Sequence, residues 1–236
     1  VLKDLLTSVF ANVPIRWGLT GTIPKNDWEF ASLRSSIGDV INKLSAKELQ
    51  DQGVLANCHV NIVQTQETVS YPNYQNEMTF LLEDKKRIEY IAEMIKGISE
   101  TGNTLVLTNR IKNGEALQEL ISGAEFVQGA MKVADRKDAY NEINEGTNTI
   151  TIATYGVAAV GINIPRIFNL VLLEPGKSFV RVIQSIGRGV RMAKDKDFVQ
   201  IWDVTSRCKF SKRHLTERKK YYKDASYPFT IDKVTY

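Results

Sequence analysis

Arg188 and Arg191, three residues apart in QSIGRGVR, are the side chains of this sequence whose type and spacing best suit chemistry. At i and i+3 near the end of a helix that Ser178 caps, they send two guanidinium groups out from neighbouring positions on one face. An arginine fork grips phosphate oxygens in pairs and never loses its charge. A transition state with charge spread over a transferring γ-phosphoryl group requires both properties. Two arginines taken alone are more often a plain solvated pair, so their surroundings must decide. Polar residues also follow apolar runs elsewhere: Thr108, Asn109 and Arg110 after LVL, and Thr154, Tyr155 and Gly156 after TITIA. The second group leads into a segment running through Gly161 and Asn163 to Pro165.

Charge is concentrated near the C-terminal end. The net charge of the chain is +4, yet the segment from Thr205 to Asp224 alone holds eight Lys/Arg against two acids, with Phe210, Tyr221 and Tyr222 interleaved. That composition fits a phosphate-binding surface with stacking rings, or a solvated helix face. As one helix from about Ser211, it places Lys212, Lys219 and Lys223 at helical spacing on one side, which is expected to face nucleic acid. Arg218, Tyr221 and Tyr222 recur on another side, expected to dock on the domain. Metal chemistry is not expected in this chain, because Cys58, Cys208, His59 and His214 show no zinc-ligand spacing and the two cysteines read as buried apolar residues.

The elements that must position these groups alternate. RWGLT reads as a short strand; Asn26 with Glu29 forms a capping box that opens a helix over DWEFASLRSSIG, and Ser45 with Glu48 opens another that Gly53 stops. NCHVNIVQTQETV is a strand, and Tyr71 to Met78, with Pro72 and several amides, has loop composition. From Asp84 to Glu100, Ile88, Ile91, Ala92, Ile95 and Ile98 form one helical stripe, with Gly102 where a C-terminal cap belongs. Strands over TLVLT, AEFVQ, TITIAT, FNLVLLE and DFVQIWDV then alternate with helices over GEALQELI, DRKDAYNEINEG and SFVRVIQSIGRGV, before the basic helix, with YGVAAVGINIP as a loop. Strands as continuously apolar as LVLL are buried on both faces. The order therefore predicts an α/β fold, a parallel sheet flanked by helices on both faces, with ligands at the C-terminal ends of its strands.

Read together, these segments resemble the motifs of superfamily 2 helicases. In TYGVAAVGINIP, Thr154, Gly161, Ile162 and Pro165 match motif V, and in QSIGRGVR, Gln184, Gly187, Arg188 and Arg191 match motif VI, in the family's order. LVLTNR resembles motif IV and GLTGTIP resembles motif III. The pattern, with the HLTERKKYYKD segment, looks most like phage recombination DNA helicases of the UvsW type. The resemblance implies a RecA-like fold, ATP bound by Gly161, Asn163, Gln184, Arg188 and Arg191, and catalysis by Arg191 and Arg188 as arginine fingers. It also implies DNA, single-stranded or branched, held by Thr108, Asn109, Arg110, Thr154, Tyr155 and Gly156, with Lys212, Lys219 and Lys223 added by the basic helix. Asn163 stands where many family members carry Asp, so a ribose hydrogen bond is retained and a carboxylate role is not.

Neither a G-x-x-x-x-G-K-[ST] phosphate loop nor a D-E-x-[HD] segment occurs in the sequence. By the resemblance both belong to a first RecA-like domain, which would supply the Mg²⁺ ligands and partner this one. The chain opens VLKDLLTSVF with no initiator Met and no targeting peptide, and reads as a piece of a longer protein. Residues 1–25 are then the remnant of the first domain, 26–204 the second RecA-like domain and 205–236 a basic helical tail. Leu2 to Thr20 should leave Val9, Ile15 and Trp17 unburied by this chain, and the chain alone should hydrolyse no ATP.

At 236 residues, 43% hydrophobic and 25% charged, disorder, collagen and a disulfide mini-protein are excluded. No apolar run approaches the ~18 residues of a membrane helix, so no membrane is expected as a partner. With two distant cysteines, the setting expected is the cytoplasm of a bacterial or phage-infected cell. The leading function is the C-terminal motor domain of an ATP-dependent DNA helicase of the recombination and repair type. The alternatives are a non-enzymatic module that binds or anneals nucleic acid, and the motor half of an RNA helicase or translocase. A dinucleotide-dependent oxidoreductase would need G-x-G-x-x-G directly after a strand, which GRG within a helix does not supply.

Overall fold

A computed structural model describes residues 2–20, 23–24, 26–129, 131, 141, 144–159, 164–178, 186–187 and 190–236. They form two compact units, 1–45 and 46–236, so the helix over 27–37 groups with the N-terminal residues.

In the first unit a helical turn over Leu2–Asp4 widens into a π-helical turn over Leu5–Val9. Helix α1 spans Asp27–Ile37, and the Asn26 side chain accepts a hydrogen bond from the Trp28 amide at 3.0 Å, the N-cap read from the sequence. RWGLT forms no strand, contrary to expectation. A lone apolar run cannot satisfy its own backbone groups as a strand, and it has no strand to pair with among the described residues. Arg16 donates instead to the carbonyls of Phe10, Ala11 and Ser36. Val9, Ile15, Trp17 and Leu19 are exposed, Leu19 to 94%.

The second unit is built on seven strands: β1 Asn57–Thr65, β2 Thr104–Thr108, β3 Glu125–Val127, β4 Ile150–Thr154, β5 Asn169–Leu173, β6 Phe198–Ser206 and β7 Phe229–Val234. All are parallel, in the order β3-β4-β2-β5-β6-β1-β7. The helices are α2 Ala46–Asp51, α3 Tyr74–Glu83, α4 Lys85–Ser99, α5 Ile111–Leu120, α6 Tyr155–Ala159 and α7 Lys209–Asp224. This is the RecA-like arrangement of a parallel sheet flanked by helices.

Alternation along the strands explains the two layers. Leu105, Leu107, Leu170 and Leu172 enter one core with Ile186, Val190, Leu215 and Tyr222, while Val106, Ile152 and Val171 enter the other with the Ile88, Ile91, Ala92, Ile95 and Ile98 stripe of α4. Helix α4 ends where the stripe does. Gly102 follows at φ 141°, where a Cβ would lie 2.7 Å from that of Phe168, so both backbone and space require glycine.

Four readings change. Tyr74–Glu83 is a helix, not a loop, because Asn73 caps it by accepting from the Asn76 amide at 2.9 Å. YGVAA is the helix α6, with the Val157 amide donating to the Thr154 hydroxyl oxygen at 3.4 Å. The basic helix starts at Lys209, and the residues after it add an unanticipated edge strand, β7, paired with β1. The segment read as a tail therefore completes the sheet. Most of the helices expected over 135–146 and 178–190 lies outside the described residues.

Candidate nucleic-acid and nucleotide interfaces

Because every strand runs the same way, residues after the strands gather along one edge. Thr108 is paired in register with Thr154, which sets Asn109 and Arg110 beside Tyr155 and Gly156. Thr108 is fully buried and donates to the Asn113 side-chain oxygen at 2.7 Å. Asn109 donates to the Glu174 carbonyl at 2.5 Å, and Arg110 to the Thr79 hydroxyl at 2.9 Å. The Tyr155 ring is buried, with its hydroxyl 3.4 Å from the Leu173 carbonyl, whereas Gly156 is exposed and no atom lies within 4 Å of where a Cβ would stand. Thr108 and Tyr155 are thus buried and present no side chain to a ligand. Asn109 and Arg110 offer half-exposed side chains and Gly156 an unobstructed main chain.

Arg191 stands at the other edge. It bridges to Leu55, and the neighbouring Ala56 amide donates to the Val190 carbonyl at 2.8 Å just before β1 begins. The same edge receives Pro165, whose carbonyl accepts from the Lys196 ammonium at 2.7 Å. Burial pushes the Lys196 ammonium down to about 8, with Asp195 opposing. Arg166 beside it pairs with Asp195 at 2.9 Å and donates to the carbonyls of Asn144 and Gly146. The segment from Thr154 to Pro165 therefore begins at one edge of the sheet and ends at the other. Gly161, Asn163, Gln184 and Arg188 lie outside the described residues.

Helix α7 carries the remaining candidates. Lys212 and Lys223 are exposed and Lys219 is half-buried, while Ser211, Leu215, Arg218 and Tyr222 face the core. Tyr221 is half-buried, its hydroxyl donating to the Lys177 carbonyl at 3.1 Å. Arg218 forms a two-pronged pair with Asp203 on β6, and Tyr222 donates to the same carboxyl at 2.7 Å.

A buried polar network beneath this helix escaped the sequence reading. Arg87 donates to Glu67 at 3.0 Å, to Glu174 at 2.6 Å and to the Leu81 carbonyl at 2.8 Å. One guanidinium thus serves two carboxyls. Burial pushes Glu174 up to about 7 against the pull of Arg87 and Arg218. Burial also pushes Glu67 upward, but bonds from Ser206 and Thr65 and the Arg87 charge hold it below its ordinary value. Glu77 accepts from the amides of Phe210 and Ser211 at 2.9 and 2.7 Å, capping α7 from α3. The available signal was an acid at the end of an otherwise apolar run, at Glu174 and at Asp203.

Among the described residues no group of three or more His, Cys, Asp or Glu is placed to hold a metal ion. Cys58 and Cys208 are free and buried. No described helix is long and apolar enough to cross a membrane.

Comparison with known proteins agrees with this architecture. Residues 86–193 match the helicase conserved C-terminal domain. The chain is 23% identical over 225 residues to the ATP-dependent DNA helicase UvsW of Enterobacteria phage T4; the match covers 89% of this chain and 44% of that protein. The crystal structure of T4 UvsW superposes with a TM-score of 0.64 at 17% identity, covering 89% of this chain and 46% of that one. A fragment assigned to an HsdR subunit of a type I restriction enzyme from Vibrio vulnificus gives 0.70 at 17% identity, covering 92% and 43%. Dbp5 of S. cerevisiae, bound to RNA and ADP BeF3, gives 0.58 at 16%, covering 91% and 50%. The chain spans less than half the length of the phage T4 protein. Its seven-stranded parallel sheet and the match over residues 86–193 make this chain similar to helicase C-terminal domains.

Proposed function

We propose that this chain is the second motor domain of an ATP-dependent DNA helicase acting on single-stranded or branched DNA in recombination and repair. In this reading residues 1–25 belong with a first RecA-like domain, which brings the phosphate loop and the Mg²⁺ ligands, and ATP binds in the cleft between the two domains. The observation that carries the proposal is where the two ends of the segment 154–165 lie: Thr154 beside Asn109, Arg110 and Gly156, and Pro165 at the edge where Arg191 stands. Nucleic acid at the first edge and the ATP phosphates at the second would be joined by one stretch of chain. Arg188 and Arg191 would stabilise the charge that develops on the γ-phosphoryl group, and Asn163 and Gln184 would position the nucleotide. The setting would be the cytoplasm of a bacterial or phage-infected cell.

The test joins this chain to its first motor domain and measures ATP hydrolysis with and without single-stranded DNA, and strand separation on a forked duplex. DNA should stimulate hydrolysis. Arg191→Ala should leave nucleotide binding nearly intact and lower hydrolysis by ~10³-fold or more, with little recovery in Arg191→Lys. Stimulation by RNA but not DNA would overturn the DNA assignment, and an Arg191→Ala enzyme with wild-type turnover would remove that residue from the mechanism.

A further inference from the structure

Helix α7 presents two distinct surfaces on either side of its buried stripe. Phe210, Arg213, His214, Glu217 and Tyr221 recur at helical spacing along one flank, whereas Lys212, Lys219 and Lys223 lie along the other. The first flank and residues 175–178, which follow β5, enclose a groove of about 980 Å³ also lined by Tyr74. That size lies within the roughly 300–1,000 Å³ of small-ligand sites. The groove is held in shape: Arg218 donates to the Gly176 carbonyl at 2.7 Å and Tyr221 to the Lys177 carbonyl at 3.1 Å.

Its lining combines rings with positive charge. The Tyr74 and His214 rings meet edge-on at 4.7 Å, Tyr74 and Phe210 at 6.4 Å, and the Lys209 ammonium lies 5.5 Å from the Phe210 ring centre. Burial, with the nearby charges of Arg218, Lys177 and Arg213 and against Glu77, holds the His214 imidazole below its ordinary value, so at neutral pH it is an uncharged flat ring. Arg213 and Lys177 are exposed at the rim, and the one acid in the lining, Glu217, is paired with Lys220 at 2.8 Å. Flat faces beside unpaired-strand charge are what an unstacked base and its phosphate require.

We propose that this groove holds an unpaired nucleotide of single-stranded DNA, its base against Phe210 and His214 and its phosphate toward Arg213 and Lys177. The site rests on the reading above that the chain engages DNA; it shares the strand-end edge with Asn109, which donates to the Glu174 carbonyl just ahead of residues 175–178, and it lies on the flank of α7 away from the lysines.

Fluorescence anisotropy of the chain with a short oligothymidylate, and with an abasic strand of the same length, tests it. Phe210→Ala and His214→Ala should each weaken the oligothymidylate by about 5- to 100-fold, as loss of one stacked base does, and leave the abasic strand unaffected. Phe210→Leu, which keeps an apolar contact to Tyr74, should show the same selectivity. Arg213→Ala, an exposed change, should weaken both strands and shallow the log–log salt slope by about 0.7. Ring variants that keep wild-type circular dichroism and either bind oligothymidylate normally or lose both strands equally would overturn the groove while leaving the motor reading intact. A wild-type chain that binds neither strand would overturn both.

Discussion

Arg218 and Asp203 meet inside the protein as a two-pronged ion pair, with Nε and Nη2 at 2.8 and 2.9 Å from the two carboxyl oxygens and neither residue more than 1% exposed. The pair fastens α7 to β6, and the third guanidinium nitrogen holds the Gly176 carbonyl. Arg218→Ala would leave a buried carboxyl without its partner. We expect it to lower the unfolding free energy by about 3–5 kcal/mol in urea titrations, with Arg218→Lys recovering only part because an ammonium lacks the fork. An unchanged midpoint would show that the pair contributes nothing net.

The cap on α7 comes from another helix. Glu77 accepts from two α7 amides and from the Ser211 hydroxyl, and Cys208, at the N-cap position, makes no side-chain cap bond. Glu77→Ala should cost about 1–3 kcal/mol and expose the first turn of α7. Hydrogen exchange is the readout: the Phe210 and Ser211 amides should lose protection while those of α4 keep theirs. Uniform loss across the domain would argue against a local capping role.

Glu174 should make stability depend on pH. Its folded-state value of about 7 lies above the ordinary 4.5, so the folded form binds a proton that the unfolded form has already released across that interval. Stability from this group is therefore complete below about 4.5 and is lost as pH rises toward 7, by up to about 1.4 kcal/mol per pH unit. Glu174→Gln should flatten the profile over that range. Parallel wild-type and variant profiles from thermal melts at pH 4.5 to 7.5 would remove the residue from the account.

On the lysine flank, a Lys212, Lys219, Lys223→Ala triple variant should bind single-stranded DNA more weakly, with the log–log salt slope reduced by about 0.7–0.9 for each contact removed. All three side chains lie outside the core, so the circular dichroism spectrum should not change. Unaltered affinity and slope would make this flank a solvated helix face.

Periodicity by itself was enough to determine much of this protein. The α4 stripe repeats at 3–4 residues, the spacing of a helix that buries one face, and here that face lies against the sheet. The cores of runs such as TLVLT and NLVLL are continuously apolar, which suits a strand covered on both faces, and their alternation with helices allows little besides a parallel sheet. The motif residues around Thr154 and Gln184 are local patterns, which a sequence displays without any fold.

Partners distant in sequence were decided by tertiary structure alone. RWGLT has strand composition but no strand beside it among the described residues, whereas FTIDKV became β7 because β1, far away in the chain, offered it a free edge. Arg218, expected from the sequence on the side of α7 that docks on the domain, is a core residue in the structure, and only the sheet order supplies its partner by placing Asp203 beneath it. Charge is a property of composition and is visible in the chain. Whether that charge meets water or a buried carboxyl depends on which strand lies under which helix, and only packing sets that. The same packing put Arg191 at the opposite edge from Asn109 and Arg110, because a segment that leaves one end of a parallel sheet must return to the other before the next strand can begin.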